Sequence, residues 1–156
     1  MKIRLAKKSD IPDLLRLLRQ ILRVHHEGRP DLFKPQAEKY NEGELQNLLK
    51  DETRPIFVAV KGEKVVGYIF CVLQKLVDNS IMTDILTLHI DDLCVDEAMR
   101  GQNIGTQLLE YAKNYAKELG CYNLTLNVWA LNENAMRFYE RNGLRPQKFG
   151  METILR

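Results

Sequence analysis

The sequence predicts an α/β fold with a mixed, mostly antiparallel central sheet and helices on both faces. Three observations lead to this prediction. Apolar residues recur with a helical period between residues 11 and 22. Three strand-like segments between residues 56 and 95 are joined by very short turns. Helical and strand-like segments then alternate over residues 104–155, an order typical of one sheet layer covered by helices.

Length and composition indicate an ordinary globular protein. The 156 residues suit one domain, and we expect residues 1–156 to form it. A scattered net charge of +2 favours neither a nucleic-acid partner nor a charged membrane surface. No secretory h-region or membrane-spanning apolar run is present, so a cytoplasmic location is the expectation.

The first part of the chain is predicted to contain a strand and two helices. Ser9 and Asp10 are typical helix-start residues, and Pro12 suits a first turn. Gly28-Arg29-Pro30 breaks the helix, and residues 26–38 are expected to form a loop. The predicted elements are a strand Ile3–Ala6, a helix from Ile11 to that break, and a helix Tyr40–Lys50.

The middle of the chain is predicted to form three strands. Residues 61–64 (KGEK) and 78–80 (DNS) are turn sequences. Because both connections are short, the strands that they join should be antiparallel neighbours. The predicted strands are Ile56–Val60, Val65–Val77 and Ile81–Val95.

Helices and strands alternate in the remainder. Gly120 and Gly143 are helix terminators, and Asn132 is expected to cap the last helix. The strand after the first of these helices should lie parallel to the strand before it. The predicted elements are a helix Ile104–Leu119, a strand Tyr122–Val128, a helix from Asn132 to Arg141, and a last strand over residues 147–155.

The segment Arg100–Thr106 (RGQNIGT) is the most informative part of the sequence. It joins an apolar strand to a helix through a short turn that contains glycine. Unpaired N–H groups and the positive end of the helix then point at one place, where a diphosphate can bind. Arg100 adds a fixed positive charge, and Thr106 adds a hydroxyl.

Two motifs make the chain resemble the GNAT superfamily of acyl-CoA-dependent N-acetyltransferases. Asp92–Asp96 followed by Arg100–Gly105 is similar to the family's R/Q-x-x-G-x-G/A loop. Asn132–Tyr139, ending at Gly143, is similar to its N-x-x-A-x-x-F/L-Y helix. Either motif alone is common, but both occur in order and at matching places. Asn103 replaces the first loop glycine, and asparagine is the next most tolerant residue for a left-handed backbone.

The resemblance implies acetyl-CoA as cosubstrate. Its pyrophosphate would bind the glycine-containing loop. Its pantetheine arm would lie between the strands Ile85–Val95 and Tyr122–Val128, paired with backbone as an extra strand would be. No credible set of metal ligands is present, so no metal is expected. The residues implied to bind CoA are Leu93, Cys94, Val95, Arg100, Gly101, Gln102, Asn103, Ile104, Gly105, Thr106, Asn132, Asn134 and Tyr139.

The same resemblance implies that Tyr139 is the general acid that protonates the leaving thiolate. Packing beside Phe138 is the alternative role for this residue. For the base, which deprotonates the amine, Asp91 is the first candidate, and His89 and Asp92 are the others. Strand alternation predicts one face with His89, Asp91, Leu93 and Val95, and the other with Asp92 and Cys94.

Residues of the acceptor side are less specific. The resemblance places several polar residues where the first helix turns toward the acceptor. The alternative is that these are solvated loop residues. Two further residues, at the end of the predicted strand Tyr122–Val128 and directly after it, are expected either to line the acceptor pocket or to pack under the last helix. These residues are His25, His26, Glu27, Arg29 and Asp31 in the first group, and Asn127 and Trp129 in the second.

The expected function is transfer of an acetyl group from acetyl-CoA to a small-molecule or peptide amine by direct attack in a ternary complex. Exposed strand edges and the last strand favour a possible homodimer. Three widely spaced cysteines argue against a disulfide framework, and Cys94 leaves a covalent route open. The alternatives are a non-catalytic acyl-CoA-binding regulatory module, and a nucleotide-binding protein, which the missing G-x-x-x-x-G-K-[ST] motif disfavours.

Overall fold

A computed structural model describes all 156 residues and contains one five-stranded sheet. The strands follow one another in the order β1-β2-β3-β4-β5, with β1–β4 antiparallel and β5 parallel to β4. The predicted mixed, mostly antiparallel sheet is therefore confirmed. The strands are β1 Lys2–Leu5, β2 Ile56–Lys61, β3 Lys64–Lys75, β4 Leu86–Val95 and β5 Asn123–Leu126.

Four α-helices cover both faces of this sheet, as the sequence predicts. They are α1 Ile11–Gly28, α2 Glu42–Leu49, α3 Ile104–Glu118 and α4 Glu133–Arg141. Leucines of α1 and α2 enter the apolar cluster on one side, which we call the α1 face. Apolar residues of α3 enter the cluster on the other side, the α3 face. No helix combines the length and the apolar character that a membrane span requires.

The connection from β4 to α3 is anchored to α1 through the buried Asp96. Arg16 Nη1 lies 2.7 Å from Asp96 Oδ2, and Arg16 Nη2 donates to the Val65 carbonyl at 3.0 Å. Asp96 Oδ1 accepts from the Ala98 N–H at 3.2 Å. Because a buried carboxylate is costly unless it is paired, these contacts hold the turn that leads into α3.

A β-bulge at Asp91 interrupts β4. Ile90 and Asp92 pair with consecutive residues of β3, so Asp91 is the extra residue. Ile90 before the bulge and Leu93 after it therefore pack on the same α3 face. The prediction that His89 shares a face with Leu93 is wrong, because it assumed unbroken alternation. His89 lies on the α1 face, together with Asp92.

The predicted last strand is also wrong. Residues 145–156 contain no strand, and their backbone makes no backbone hydrogen bond. A strand needs a hydrogen-bonding neighbour, and this segment pairs with no strand of the chain. The start of β4 is a second correction, since this strand begins at Leu86 and not at Ile81. The other predicted elements are present, with boundaries displaced by one or two residues.

Candidate active site

The strands β4 and β5 separate at the level of the bulge. Their parallel pairing covers only Thr87–Ile90 of β4, whereas β4 continues to Val95 beside β3. The edge of Asp91–Val95 that faces β5 therefore has no strand next to it. We call this opening the β4–β5 gap. Leu93, Cys94 and Val95 lie along it, where the sequence interpretation placed an extended ligand.

The loop at the Val95 end of the gap offers free backbone donors. None of the N–H groups from Arg100 through Thr106 donates a hydrogen bond within the chain. Two residues of the loop have left-handed backbones, Gly101 with φ 84° and Asn103 with φ 61°. Asn103, which stands where the family has glycine, thus adopts the left-handed backbone expected of it. Free N–H groups at the positive end of α3 are suited to bind an anion.

Positive side chains flank this loop. Arg100 is exposed, and Lys61 Nζ donates to Gln102 Oε1 at 3.2 Å. Thr106 is half-buried in the first turn of α3, next to the buried Ile104. The residues that the sequence interpretation assigned to the pyrophosphate therefore lie together at one end of α3.

Gly105 has a packing role that the motif did not reveal. A Cβ atom at this position would lie 3.1 Å from Phe138 Cζ, closer than ordinary van der Waals contact. Glycine therefore lets α4 pack closely against the first turn of α3. Because Phe138 precedes Tyr139, this contact brings the part of α4 that carries Tyr139 next to the first turn of α3.

Tyr139 lies half-buried on α4 and packs against the apolar cluster of the α3 face. Its hydroxyl makes no hydrogen bond within the chain. Burial raises the pKa of Tyr139 to about 12, and the negative charge of Asp92 adds to this shift. The phenol is consequently protonated at neutral pH and available as a donor.

Asparagines at the start of α4 have structural partners. Asn132 Oδ1 accepts from the Ala135 N–H at 3.2 Å, so its predicted role as helix cap is confirmed. Asn134 is exposed, and its Oδ1 accepts from Arg137.

The adjacent carboxylates Asp91 and Asp92 have different surroundings. Asp91 Oδ2 lies 3.0 Å from Lys39 Nζ in a partly exposed ion pair. Asp92 Oδ2 accepts a 2.7 Å hydrogen bond from the buried Tyr68 hydroxyl on the α1 face. Burial raises the pKa of Asp92, although the Tyr68 hydrogen bond and the Lys39 charge oppose this shift. Such a carboxyl group is well suited to exchange a proton.

Three aromatic rings form a wall among the residues predicted for the acceptor side. The His25 ring stacks on Phe33 with centroids 5.0 Å apart, and Phe33 meets Trp129 edge-on at 5.4 Å. Burial lowers the pKa of His25, and the negative charge of Asp92 acts in the opposite direction. We call these three rings the aromatic wall.

The other residues predicted for the acceptor side lie around the aromatic wall. His26 Nδ1 donates to the Phe33 carbonyl at 2.8 Å. The Arg29 guanidinium pairs with Asp31 at 2.9 Å and with Glu152 at 2.6 Å. His25, His26 and Glu27 belong to the last turns of α1, where the sequence predicted a loop from residue 26. Asn127 and Glu27 are exposed.

Cys94 and His89, which the sequence offered as a nucleophile and a base, are engaged in structural contacts. The Cys94 thiol is buried against the Leu17 carbonyl at 3.6 Å, and burial raises its pKa to about 12. A covered, protonated thiol is a poor nucleophile. His89 Nδ1 is hydrogen-bonded to Thr125 Oγ1 at 2.9 Å, across the β4–β5 pair. No group of three His, Cys, Asp or Glu residues is arranged to hold a metal ion.

Sequence reasoning missed Phe33, Lys39 and Tyr68. Phe33 and Lys39 belong to the segment between α1 and α2, which carries no periodic pattern. Tyr68 sits in an apolar strand, where an aromatic residue ordinarily indicates core packing. Tyr68 pairs with Cys94, and Asp92 pairs with Phe70. Only this diagonal arrangement across β3 and β4 brings the Tyr68 hydroxyl to Asp92, and the register depends on the bulge.

Comparison with known proteins relates the chain to one enzyme family. Residues 16–144 match the family described as "Acetyltransferase (GNAT) family". The chain is 28% identical over 146 residues to an uncharacterized N-acetyltransferase of Methanocaldococcus jannaschii, covering 94% of this chain but only 61% of the archaeal protein. It is 24% identical over 144 residues to mouse thialysine N-epsilon-acetyltransferase, covering 89% of this chain and 81% of the enzyme.

Solved structures share the architecture. A tetramutant of the BH1408 protein from Bacillus halodurans superposes with a TM-score of 0.95 at 33% identity, over 99% of this chain and 100% of that one. The aminoglycoside N-acetyltransferase AAC(6')-Iy, solved in complex with CoA, has a TM-score of 0.74 at 12% identity, covering 99% of both chains. The second likeness concerns the fold alone.

Proposed function

Since the chain belongs to the acetyltransferase (GNAT) family, we propose that it transfers an acetyl group from acetyl-CoA to an amine nitrogen by direct attack in a ternary complex. One observation carries this proposal. The free N–H groups of Arg100–Thr106 lie at one end of the β4–β5 gap, and the Asp91–Asp92 pair lies at its other end. A ligand with an anionic head and an extended arm fits such a path.

Each part of acetyl-CoA has a partner in this proposal. The pyrophosphate accepts hydrogen bonds from the loop N–H groups, and Arg100 adds charge attraction. The pantetheine arm pairs with the free edge of Leu93–Val95 in the way of an added strand. The thioester then lies at the Asp91 end of the gap, where a β4 N–H can stabilise the oxyanion that forms.

The chemical step needs one proton donor and one proton acceptor. The amine nitrogen attacks the thioester carbonyl, the C–S bond breaks, and Tyr139 gives its proton to the departing sulfur. The amine loses a proton in the same sequence. We assign this proton to Asp92, because Asp91 is already paired with Lys39 while Asp92 lies in the more buried position beside the Tyr68 hydroxyl. Asp91 remains the alternative base.

The acceptor in this proposal is a small amine that is cationic in solution. The adjacent carboxylates attract a cation, and the aromatic wall offers ring faces and edges to the body of the substrate. Similarity to thialysine acetyltransferases supports a primary amine at the end of a flexible chain.

The test is release of free CoA thiol from acetyl-CoA with a panel that contains thialysine, polyamines, aminoglycosides and peptide N-termini. Turnover is expected with at least one amine. Tyr139→Phe should lower kcat by about 10²-fold while the affinity for CoA stays unchanged. Tyr111→Phe, which changes a partly exposed tyrosine of α3, is the matched control and should keep full turnover.

The outcomes of this test distinguish an acetyltransferase from a protein that only binds acyl-CoA. Tight CoA binding with no turnover on any amine would support a non-catalytic acyl-CoA-binding module instead. Full turnover by Tyr139→Phe would reject Tyr139 as the acid and leave acetyl transfer intact.

A further inference from the structure

Three polar side chains of α1 contact the segment that precedes the loop Arg100–Thr106. Arg16, Gln20 and Arg23 follow one another at helical spacing, so they lie on the same face of α1. Each of them reaches Asp96 or Glu97, the first two residues after β4. We call these three side chains the α1 clamp.

Gln20 joins the two residues that the α1 clamp holds. Its Nε2 donates to Asp96 Oδ1 at 3.4 Å, and its Oε1 accepts from the Glu97 N–H at 3.2 Å. Arg23 Nη2 lies 2.9 Å from Glu97 Oε1, in an ion pair of two exposed side chains. Together with the Arg16–Asp96 ion pair, these contacts tie the segment to successive turns of α1.

The hydrogen bonding of the backbone changes directly after this segment. Every N–H group of residues 96–99 donates a hydrogen bond within the chain. None of the N–H groups from Arg100 through Thr106 does so. The α1 clamp therefore holds the backbone up to the residue at which the free donors begin.

The far end of the loop is held by packing. Gly105 lies in the first turn of α3, in close contact with the Phe138 ring of α4. Between the two held ends, the direction of the free N–H groups depends on the backbone alone, with left-handed residues at Gly101 and Asn103. A loop that a ligand has to order costs binding free energy, and fixed ends reduce this cost.

We infer that Arg16, Gln20 and Arg23 are positioning residues for acetyl-CoA, which set its affinity by fixing the entry of the loop through Asp96 and Glu97. This inference rests on the proposed function, because it requires that the free N–H groups bind the pyrophosphate. The α1 clamp acts through the segment after β4, so it governs the affinity of the pyrophosphate end and not the chemical step.

Gln20→Met tests the inference in the full-length chain. The variant removes two hydrogen bonds, keeps a side chain of similar length, and leaves the buried Asp96 paired with Arg16. The dissociation constant of acetyl-CoA, measured by calorimetry, should rise by about tenfold, the order expected for two lost hydrogen bonds. Adding Arg23→Met should raise it further.

Arg19→Met is the matched control. Arg19 also belongs to α1 and forms an exposed ion pair, but its partner is Glu38 at 2.8 Å and not the segment after β4. This variant should leave the dissociation constant of acetyl-CoA unchanged.

A truncated ligand separates positioning from a general loss of structure. S-acetylpantetheine lacks the pyrophosphate, so Gln20→Met should leave its dissociation constant, measured by NMR titration, unchanged. Equal weakening of both ligands would show a merely structural role and overturn the inference, as would an unchanged affinity for acetyl-CoA. A wild-type chain that binds no acetyl-CoA would instead reject the proposed function, and this inference with it.

Discussion

The Tyr68 hydroxyl donates a 2.7 Å hydrogen bond to Asp92 across the β3–β4 pair. Tyr68 is completely buried, so its hydroxyl has to find an acceptor inside the protein. Because Asp92 accepts this hydrogen bond, its carboxyl group is held in the low-dielectric interior, where the charged form is disfavoured. This relationship connects the packing of the α1 face with the proposed proton chemistry.

Asp92→Asn is expected to lower kcat by about 10²-fold and to increase stability at neutral pH. The folded-state pKa of Asp92 is raised above 3.8 by burial, so the wild-type protein loses stability as pH rises from about 3.8 through that raised value. The asparagine side chain can still accept the Tyr68 hydrogen bond. Because it has no carboxyl group to ionise, the variant does not lose stability as pH rises. Tm should therefore be higher for the variant at pH 7 and converge with wild type below pH 3.8. Equal Tm values at pH 7 would contradict the buried carboxylate, and Asp91→Asn, which changes the more exposed neighbour, is the control for the Tm measurement alone.

Gly105→Ala is expected to reduce the free energy of unfolding by about 1 kcal/mol, because the new methyl group meets Phe138 at 3.1 Å. In a Phe138→Leu background the penalty should vanish, since alanine is otherwise favoured over glycine in a helix by about 1 kcal/mol. Gly43→Ala in α2, where the nearest atom is 3.5 Å away, is the control and should stabilise. Urea denaturation measures all three. A stabilising Gly105→Ala in the wild-type background would refute close packing at this position.

Asn103→Ala is expected to destabilise the protein by about 1 kcal/mol, because alanine lacks the tolerance of asparagine for a left-handed backbone. Asn103→Gly should be close to neutral, since glycine adopts φ 61° without steric cost. Both variants keep the backbone N–H groups, so calorimetry should show acetyl-CoA affinity for the glycine variant near that of wild type. An alanine variant as stable as wild type would mean that the loop has another conformation in solution.

Cys94→Ala is expected to retain kcat within a few-fold of wild type. In the wild-type protein, the Cys94 thiol is buried against the Leu17 carbonyl and its pKa is raised to about 12. The thiol is therefore neither accessible nor ionised at neutral pH. Iodoacetamide should likewise leave activity unchanged. Detection of an acetylated Cys94 by mass spectrometry during turnover would contradict direct transfer and restore a covalent route.

Local interactions account for what the sequence by itself determined. The order of elements to α4 follows from apolar periodicity, which needs only neighbouring residues. The left-handed backbone at Asn103 and the cap at Asn132 are set by side chains acting within a few residues of their own position. The two family motifs are of this local kind, so the loop with free N–H groups and the helix that carries Tyr139 were predictable.

Contacts between distant parts of the chain decided the rest. The bulge at Asp91 depends on the register of β3 against β4, and it moved His89 to the opposite face. Tyr68 and Lys39 meet the carboxylates only after the chain has folded, so no pattern in the sequence marked them. Residues 147–155 carry the alternation of a strand but lack a neighbour within their own chain, because strand formation depends on a second strand and not on local preference alone.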